Sequence, residues 1–478
     1  MMFINEIIKI LKKKSTIIIF ILAIFSLFAC VGFVKLMDIG SNYISDGYMQ
    51  YQIEEYNTKI SEIKGSDEVS LNAKKQFQNI INLLKYADTN KIDLNNQSYY
   101  MSNSINNIIN NIQTIVNLED KEKIKETQDK INKYDEVVKE KSFEKYTLCL
   151  EEDIKLIEDE KNKKNQEYEL QLIKKYEIGK TDLKEDAWKS TMLSQITSIN
   201  ESLASGIDYK TQKPFTLKQI EKYKDNLKIA EYKLENNIKE DIGLDGIPTN
   251  KRYMYNEVAI TFSMSIVCIL IILLSASIIS SETSKGTIKF LVMQPKKRYK
   301  ILISKILAIT TLLIGFTLII SICNIVVSNI FYSSYDTIDY IYMNNGAVSL
   351  IDGNLFIFLR YAVIGIEVFV YSMIGIMLST LIRNTAISTS ITIALYFVSG
   401  TVMQFVNMFI KKDFVKYIPF NNLNLTSKIF ESHNFVINSM SSEFINNVTL
   451  GFSLTVIAIT LILIIITTFE SFNKRDIM

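Results

Sequence analysis

The chain reads as an all-α protein: a six-span membrane helix bundle with a large extracellular helical, coiled-coil-like domain inserted between spans one and two. Three observations carry that reading. Apolar runs of membrane length recur six times along 478 residues. A polar, charge-rich block, residues 38–255, separates the first run from the other five. Only four prolines and sixteen glycines punctuate the chain, which favours long uninterrupted helices over turn-rich β structure. The bulk charge, 53 basic against 51 acidic side chains, hides this division.

A helix needs about 20 apolar residues to cross a bilayer. Ile17 to Val34 is the first such run and carries no charge. Val258–Ile279, Ile301–Val327, Leu355–Ile382, Ile387–Ile410 and Leu450–Phe469 follow, the fourth span holding Arg360 and Glu367. Ahead of span one, Phe3, Ile4, Ile7, Ile8 and Leu11 recur at helical spacing opposite Asn5, Glu6 and Lys9, the pattern of a helix lying in the membrane interface. The domain boundaries expected are 1–16 for that interfacial helix, 17–37 for span one, 38–255 for the outer domain and 256–478 for the membrane domain. Leu27-Phe28-Ala29-Cys30 is similar to a lipoprotein cleavage box, with a bulky Phe28 where small residues are usual. The expectation is an uncleaved span with Cys30 unmodified.

Lys and Arg bias in the short loops sets orientation. Lys9, Lys12, Lys13 and Lys14 precede span one. Lys285, Lys289, Lys296, Lys297, Arg298 and Lys300 lie between spans two and three, and Lys474 and Arg475 follow span six. Residues 329–353 carry no Lys or Arg, although 411–449 carry four. The balance predicts a multi-pass cell-membrane protein with both termini cytoplasmic and residues 38–255 extracellular.

In that block acidic residues outnumber basic ones. Gln97 to Leu118 places Ile105, Ile108, Ile109, Ile112 and Ile115 on one stripe, and Lys121–Tyr146 and Leu217–Ile238 behave alike, predicting amphipathic helices in a bundle. Pro214 separates two helices, and Pro248 breaks the last one ahead of span two. The charge runs read as solvated helix faces.

Catalytic chemistry finds no support. His433 is the lone histidine, so no His-based triad or metal cluster can be assembled. Four cysteines, three of them inside apolar runs, form neither a CxxC pair nor a disulfide framework. Gly179-Lys180-Thr181 lacks the earlier glycine of a phosphate loop, because Lys174 stands five positions before it. Trp188 reads as a packing residue. Basic and acidic residues interleave evenly, leaving no nucleic-acid footprint.

The stretch SETSKGTIKFLVMQPKKRYK, residues 281–300, remains to be explained. Anchoring accounts for its cations, each worth on the order of 1 kcal/mol near an anionic surface. It does not account for Glu282, the Gly286-Thr287 pair or the short aliphatic run. The helix of span two is expected to continue to about Met293, loosened at Gly286 and stopped at Pro295. Glu282, Gly286-Thr287, Leu291-Val292, Pro295, Arg298 and Lys305 together resemble the cytosolic loop of type-2 ABC exporter permeases. The N-terminal ILKKK and the Tyr417-Ile418-Pro419-Phe420 stretch are similar to that family as well. The resemblance covers the N-terminal helix and spans two to six, not residues 38–255.

What the resemblance implies is a permease that is not itself an enzyme. Glu282, Gly286, Thr287, Leu291, Val292, Pro295 and Arg298 would couple it to a separate ABC ATPase subunit that binds ATP and Mg, with no cofactor on this chain. A second permease copy or a related chain would complete it, and an amphipathic or hydrophobic peptide, drug or lipid would be the substrate. The competing reading is a non-transporting scaffold or accessory protein of a Gram-positive secretion system, which has no need of an ATPase-docking helix. Within the spans, Arg360 and Glu367 are seven residues apart and share a helix face, about 10 Å apart along the axis. They mark a substrate path or permease interface, unless Arg360 snorkels to the headgroups and Glu367 bonds inside the bundle. Asn324, Gln404 and Asn407 are weaker candidates.

The orientation is directly testable. In a Cys149→Ser background, because that thiol belongs to the outer block, cysteines introduced at Ser98 and Asn344 label with an impermeant thiol reagent in intact cells. A cysteine at Ser284 stays unlabelled. Labelling at Ser284 reverses the topology.

Overall fold

The computed structural model describes residues 2–41, 48–62, scattered positions within 71–86, 99–116, 121–180, 183–208, 213–238, 250–287, 297–333, 339–344, 346–410, 413–430 and 448–474. The chain divides into two compact units. One comprises residues 1–36, 251–341 and 350–478, the other residues 37–250 and 342–349.

In chain order, helix α1 (Met2–Leu11) precedes α2 (Lys14–Ser41), whose stretch Lys14–Leu36 is the first candidate span. The second unit then contributes α3 (Tyr48–Glu62), α4 (Tyr99–Val116), α5 (Lys121–Glu140), α6 (Phe143–Lys155), α7 (Glu160–Tyr176), α8 (Leu183–Ser205) and α9 (Leu217–Glu235). A two-residue hairpin, β1 (Ile207–Asp208) with β2 (Lys213–Pro214), separates α8 from α9. Pro214 therefore divides two helices, and it does so from within a short strand.

The core of this unit gathers Ile105, Ile108 and Ile109 from α4, Tyr134 and Val137 from α5, and Trp188, Met192 and Ile196 from α8. Those isoleucines are part of the predicted stripe; the side chains of Ile112 and Ile115 lie outside what is described. The helix expected over Lys121–Tyr146 is instead two. Lys141 adopts a left-handed conformation, φ 50°, and the Ser142 hydroxyl accepts from Lys145 N to cap α6. Thr216 and Gln219 form a reciprocal capping box at the start of α9, the arrangement that satisfies two orphan donors at once. Gly179, with φ +81°, ends the turn after α7, and a Cβ there would lie 2.6 Å from Tyr99 Cβ. The Gly-Lys pair is thus a helix stop pressed against α4.

The membrane unit continues with α10 (Lys251–Ser277), the short α11 (Ser280–Ser284), and α12 (Arg298–Tyr332). In the chain a hairpin of β3 (Tyr340–Asn344) and β4 (Ala347–Ile351) follows, its residues 342–349 belonging to the second unit, so the fold is nearly rather than wholly helical. Next come α13 (Gly353–Ile382), α14 (Thr385–Phe409), two 3-10 turns (Asp413–Tyr417 and Pro419–Asn422), α15 (Thr426–Ile429) and α16 (Leu450–Lys474). Among the described residues, six helices are long and apolar enough to cross a membrane. Spans four and five join through two residues: Arg383 turns the chain at φ 58° and the Asn384 side chain caps the next helix through Ile387 N.

Span two is the interior element, 61% buried over its most apolar window, against 17% for span five. Gly375 of span four shows how closely spans two and four approach, since a Cβ there would meet Ser275 Oγ at 2.5 Å and Ala276 N at 3.3 Å. Small residues at such contacts replace the hydrophobic drive that lipid cannot supply. Leu27, Cys30, Val31 and Val34 of span one pack against Tyr255 and Ala259 of span two and Val327 of span three, so Cys30 is a packing residue of the bundle. On α1, Ile4, Ile8 and Leu11 are exposed, the outward apolar stripe of an interfacial helix.

Cys149 is buried in the core of the second unit, and burial, aided by the Asp153 and Glu152 carboxylates, pushes its thiol up to about 11. An impermeant maleimide near neutral pH should label it on the order of a hundredfold more slowly than an exposed thiol of pKa about 8.5. Labelling should become rapid once the unit is unfolded by denaturant. Fast, complete labelling of the folded protein would contradict this packing.

Candidate functional site

The polar chemistry of the membrane unit concentrates where span two gives way to the 281–300 loop. The helix of α10 ends at Ser277 and restarts at Ser280, so backbone groups are freed inside a packed bundle. An unpaired buried amide or carbonyl is costly in an apolar surrounding. Neighbouring spans supply the partners. Ser379 Oγ of span four accepts from Ile279 N at 3.1 Å and from Ser280 N at 2.8 Å. Lys305 Nζ of span three donates to Ile278 O at 3.4 Å.

The same lysine anchors a charge cluster. Lys305 Nζ lies 2.9 Å from Glu282 Oε2 and 3.2 Å from Glu6 Oε1, while Lys9 Nζ lies 2.6 Å from Glu282 Oε1. The side chains of Lys305 and Glu282 are only 1% and 6% exposed. Two acids and two bases thus alternate, and three elements distant in sequence meet: α1, α11 and α12. Burial lowers the affinity of Lys9 for its proton, but its bond to Glu282 and the Glu282 charge more than reverse this, leaving its pKa above the ordinary value. Lys13, next along, is pulled down by burial and by the neighbouring Lys9, Lys285 and Lys305 charges, with Glu6 opposing. The apolar stripe of α1 faces outward and turns Glu6 and Lys9 toward the loop.

The sequence-predicted loop residues fall into three groups. Glu282 points inward, into this cluster. Gly286 takes φ +70° and its amide bonds Thr283 O at 3.0 Å, while Thr287 Oγ1 reaches Glu282 O at 3.3 Å. Together they end α11 with the left-handed turn that glycine favours, so the continuous helix expected to about Met293 is interrupted at Gly286. Arg298 Nη1 donates to Asn473 O at 3.2 Å, satisfying one of the last carbonyls of span six. Leu291, Val292 and Pro295 lie outside the described residues.

Arg360 and Glu367 are not brought together. The Arg360 guanidinium makes two bonds to Glu257 of span two, Nη1 to Oε1 and, at 2.9 Å, Nη2 to Oε2. This fork geometry is the strong form of the carboxylate pair. Glu367 accepts instead from Leu425 N at 2.9 Å and so pins the segment between spans five and six to span four. Asn407 and Asn421 exchange amide bonds of 3.0 and 3.2 Å in the same region. Asn324 donates to Asn256 Oδ1 at 3.1 Å; Gln404 is exposed. Further along, Arg252 bonds Asn329 at 2.6 Å and Asn354 at 3.3 Å. Sequence reasoning missed Glu257 because it stands just ahead of the apolar run of span two. It missed Glu6 and Lys9 because nothing local ties them to a loop more than 270 residues away. Among the described residues, no group of three or more His, Cys, Asp or Glu could hold a metal ion.

The family described as ABC-2 family transporter protein matches residues 1–477. An uncharacterized protein of Bacillus subtilis, YhcI, is 29% identical over 260 residues, covering 53% of this chain and 76% of that protein. An uncharacterized membrane protein of the same organism, YdbK, is 25% identical over 210 residues, covering 44% of this chain and 76% of its own length.

The Arg360–Glu257 pair sets up a stability test. Arg360→Met leaves a partly buried carboxylate without its cation, and breaking a buried pair from one side costs about 3–5 kcal/mol. The double variant Arg360→Met with Glu257→Gln should recover most of that loss in thermal unfolding of the detergent-purified protein. Single and double variants that melt alike would show that the pair is not coupled.

Proposed function

Because this chain belongs to the ABC-2 family of transporter proteins, we propose that it is the permease subunit of an ATP-driven exporter. Loop 281–300 faces the cytosol and docks on a separate ABC ATPase, which binds ATP and Mg. Both termini are cytoplasmic and residues 38–255 lie outside the cell. Two copies, or this chain and a related permease, enclose a path for an amphipathic or hydrophobic substrate such as a peptide, drug or lipid.

The observation that supports this reading is the cluster of Glu6, Lys9, Glu282 and Lys305. A docking loop must pass the movement of its partner to the spans without bending on the way. Glu282 does so as a positioning residue. Its carboxylate ties the start of the loop to span three through Lys305, and Ser379 ties the same turn to span four. Separating the buried Lys305 and Glu282 charges is costly, so a push on the loop moves α11 and span three together, with α1 attached through Glu6, a rigid displacement of packed elements. Leu291 and Val292 supply the apolar contact to the ATPase, while Gly286 sets the direction in which the loop leaves the cluster.

Two substitutions separate docking from transmission. Leu291→Asp acts on the proposed contact and should leave membrane insertion and thermal stability unchanged. Stimulation of the co-purified ATPase by substrate should fall at least about tenfold, roughly 1.4 kcal/mol of coupling. Glu282→Gln keeps the side-chain shape and removes the charge shared by Lys9 and Lys305. The ATPase should still co-purify with this variant, while export falls. If both variants insert normally and sustain wild-type ATPase stimulation and export, the loop is only a charged anchor.

A further inference from the structure

The charge cluster at the root of loop 281–300 does not balance. Lys9, Lys285 and Lys305 all act on Lys13, so four ammonium groups gather around the two carboxylates of Glu6 and Glu282. Those carboxylates are already committed. One oxygen of Glu282 is taken by Lys9 and the other by Lys305, and Glu6 turns to Lys305 as well. Among the described residues, no carboxylate lies within ion-pair distance of Lys13 or Lys285.

The backbone places these two cations side by side. The Lys9–Glu282 bond, 2.6 Å long, pins α1 to α11. Lys13 stands one turn beyond Lys9, and the amides of Lys12 and Lys13 still bond Ile8 O and Ile10 O, so the helical path runs on past Leu11. Lys285 stands one turn beyond Glu282 as the C-cap of α11, its amide on Ser281 O. Residues three or four apart are neighbours on a helix face, so each cation prolongs the face that carries the bond. Both are exposed. The bundle behind Lys13 nonetheless withdraws it in part from water, and the three neighbouring cations weaken its hold on a proton further, with Glu6 opposing. An anion between Lys13 and Lys285 relieves that repulsion. The start of α2 at Lys14 adds to the attraction, because the first amides of a helix favour negative charge.

The setting favours a phospholipid over a soluble anion. Lys14 opens the first candidate span, so Lys13 stands at the edge of the hydrocarbon core, where the headgroup region begins. The exposed Ile4, Ile8 and Leu11 put α1 in the same interface. Ile17, Ile18 and Ile21 of span one are exposed as well, an apolar wall for acyl chains that free phosphate cannot use. We propose that Lys13 and Lys285 bind the phosphate of an anionic phospholipid, which supplies the counter-charge that the cluster lacks. This goes beyond the export reading and needs no ATPase: the headgroup bridges the α1–α2 turn to α11 whatever the loop docks on.

Quenching by brominated lipids reads occupancy at one place on the chain. Leu11→Trp sets a reporter on the exposed stripe beside Lys13. The native Trp188, buried in the core of the second unit, is measured in the parent chain and subtracted. The full chain is reconstituted in vesicles of phosphatidylcholine containing phosphatidylglycerol, with bromine on the acyl chains of one lipid or the other. Phosphatidylglycerol should be preferred at the reporter at least about tenfold. Lys13→Gln and Lys285→Gln should each cut that preference about fivefold, the contribution of one cation near an anionic surface. Lys13→Arg should keep it, and Lys12→Gln and Lys14→Gln should change it by less than about twofold, since a diffuse field does not single out one lysine. Equal losses at positions 12, 13, 14 and 285 would overturn the site, leaving only the general attraction of a basic surface. Displacement of the lipid by inorganic phosphate or glycerol phosphate would overturn it too, by assigning the cations to a soluble anion. A reporter that ranks the two lipids alike in the parent sequence would show that no anionic lipid binds there.

Discussion

A single ammonium group organises the membrane unit. Lys305 is almost completely enclosed, and a charge in that position must find anions and acceptors nearby or remain unfolded. It takes Glu282 and Glu6 as counter-charges and the Ile278 carbonyl as a third acceptor. Each partner belongs to a different stretch of chain, so satisfying one lysine fixes the turn of span two, the seat of α1 and the base of span three together. A neutral residue at 305 would leave two carboxylates to share Lys9 and would release the broken turn of span two. The pair is not needed for hydrophobic stability, since well-packed apolar residues often do as well. Its value lies in allowing one arrangement and no other.

The break in span two follows the same logic. A continuous helix satisfies its own backbone, which is why helices cross membranes. Interrupting one is tolerated only where neighbours provide donors and acceptors, and here Ser379 of span four and Lys305 of span three do so. A loop leaving through such a joint is fixed in direction at its root, while Gly286 turns it further on. The tight approach of Gly375 to Ser275 holds spans two and four close enough for Ser379 to reach. Packing, backbone satisfaction and charge pairing thus depend on one another at this end of the bundle.

Much of the fold was legible because each of its signals is local. The six spans, the interfacial stripe of α1 and the buried isoleucines of α4 all follow from apolar spacing within a window of a few turns. The sites were less legible because their signals are pairwise. Arg360 stood out as a cation inside a span, but its partner Glu257 lies on another helix, one residue ahead of the apolar run, and Glu367, which shares its helix face, turned out to bond a backbone amide instead. Glu282 was visible as a singular acid after a span, yet its inward direction depends on Lys9 and Lys305. The β3–β4 hairpin was missed although Asn345-Gly346, between Tyr340-Ile341-Tyr342 and Val348-Ser349-Leu350, is a strong short-range turn signal.

The arrangement of polar groups along span three gives the membrane unit its functional axis. At one end Lys305 is fully committed to partners that hold the loop. At the other, Asn329 accepts from Arg252 and donates to Asn354, tying spans two, three and four. Between these ends the face toward span four is mainly apolar, and its Thr310 and Ser321 hydroxyls bond carbonyls of their own helix. A helix held by polar contacts at both ends and satisfying its own backbone between them moves as one rigid element. Movement at the Lys305 end is then carried along span three to the Asn329 contacts with spans two and four. The root of the loop at Lys305 and the polar contacts of Asn329 at the far end are therefore parts of one mechanical element, span three.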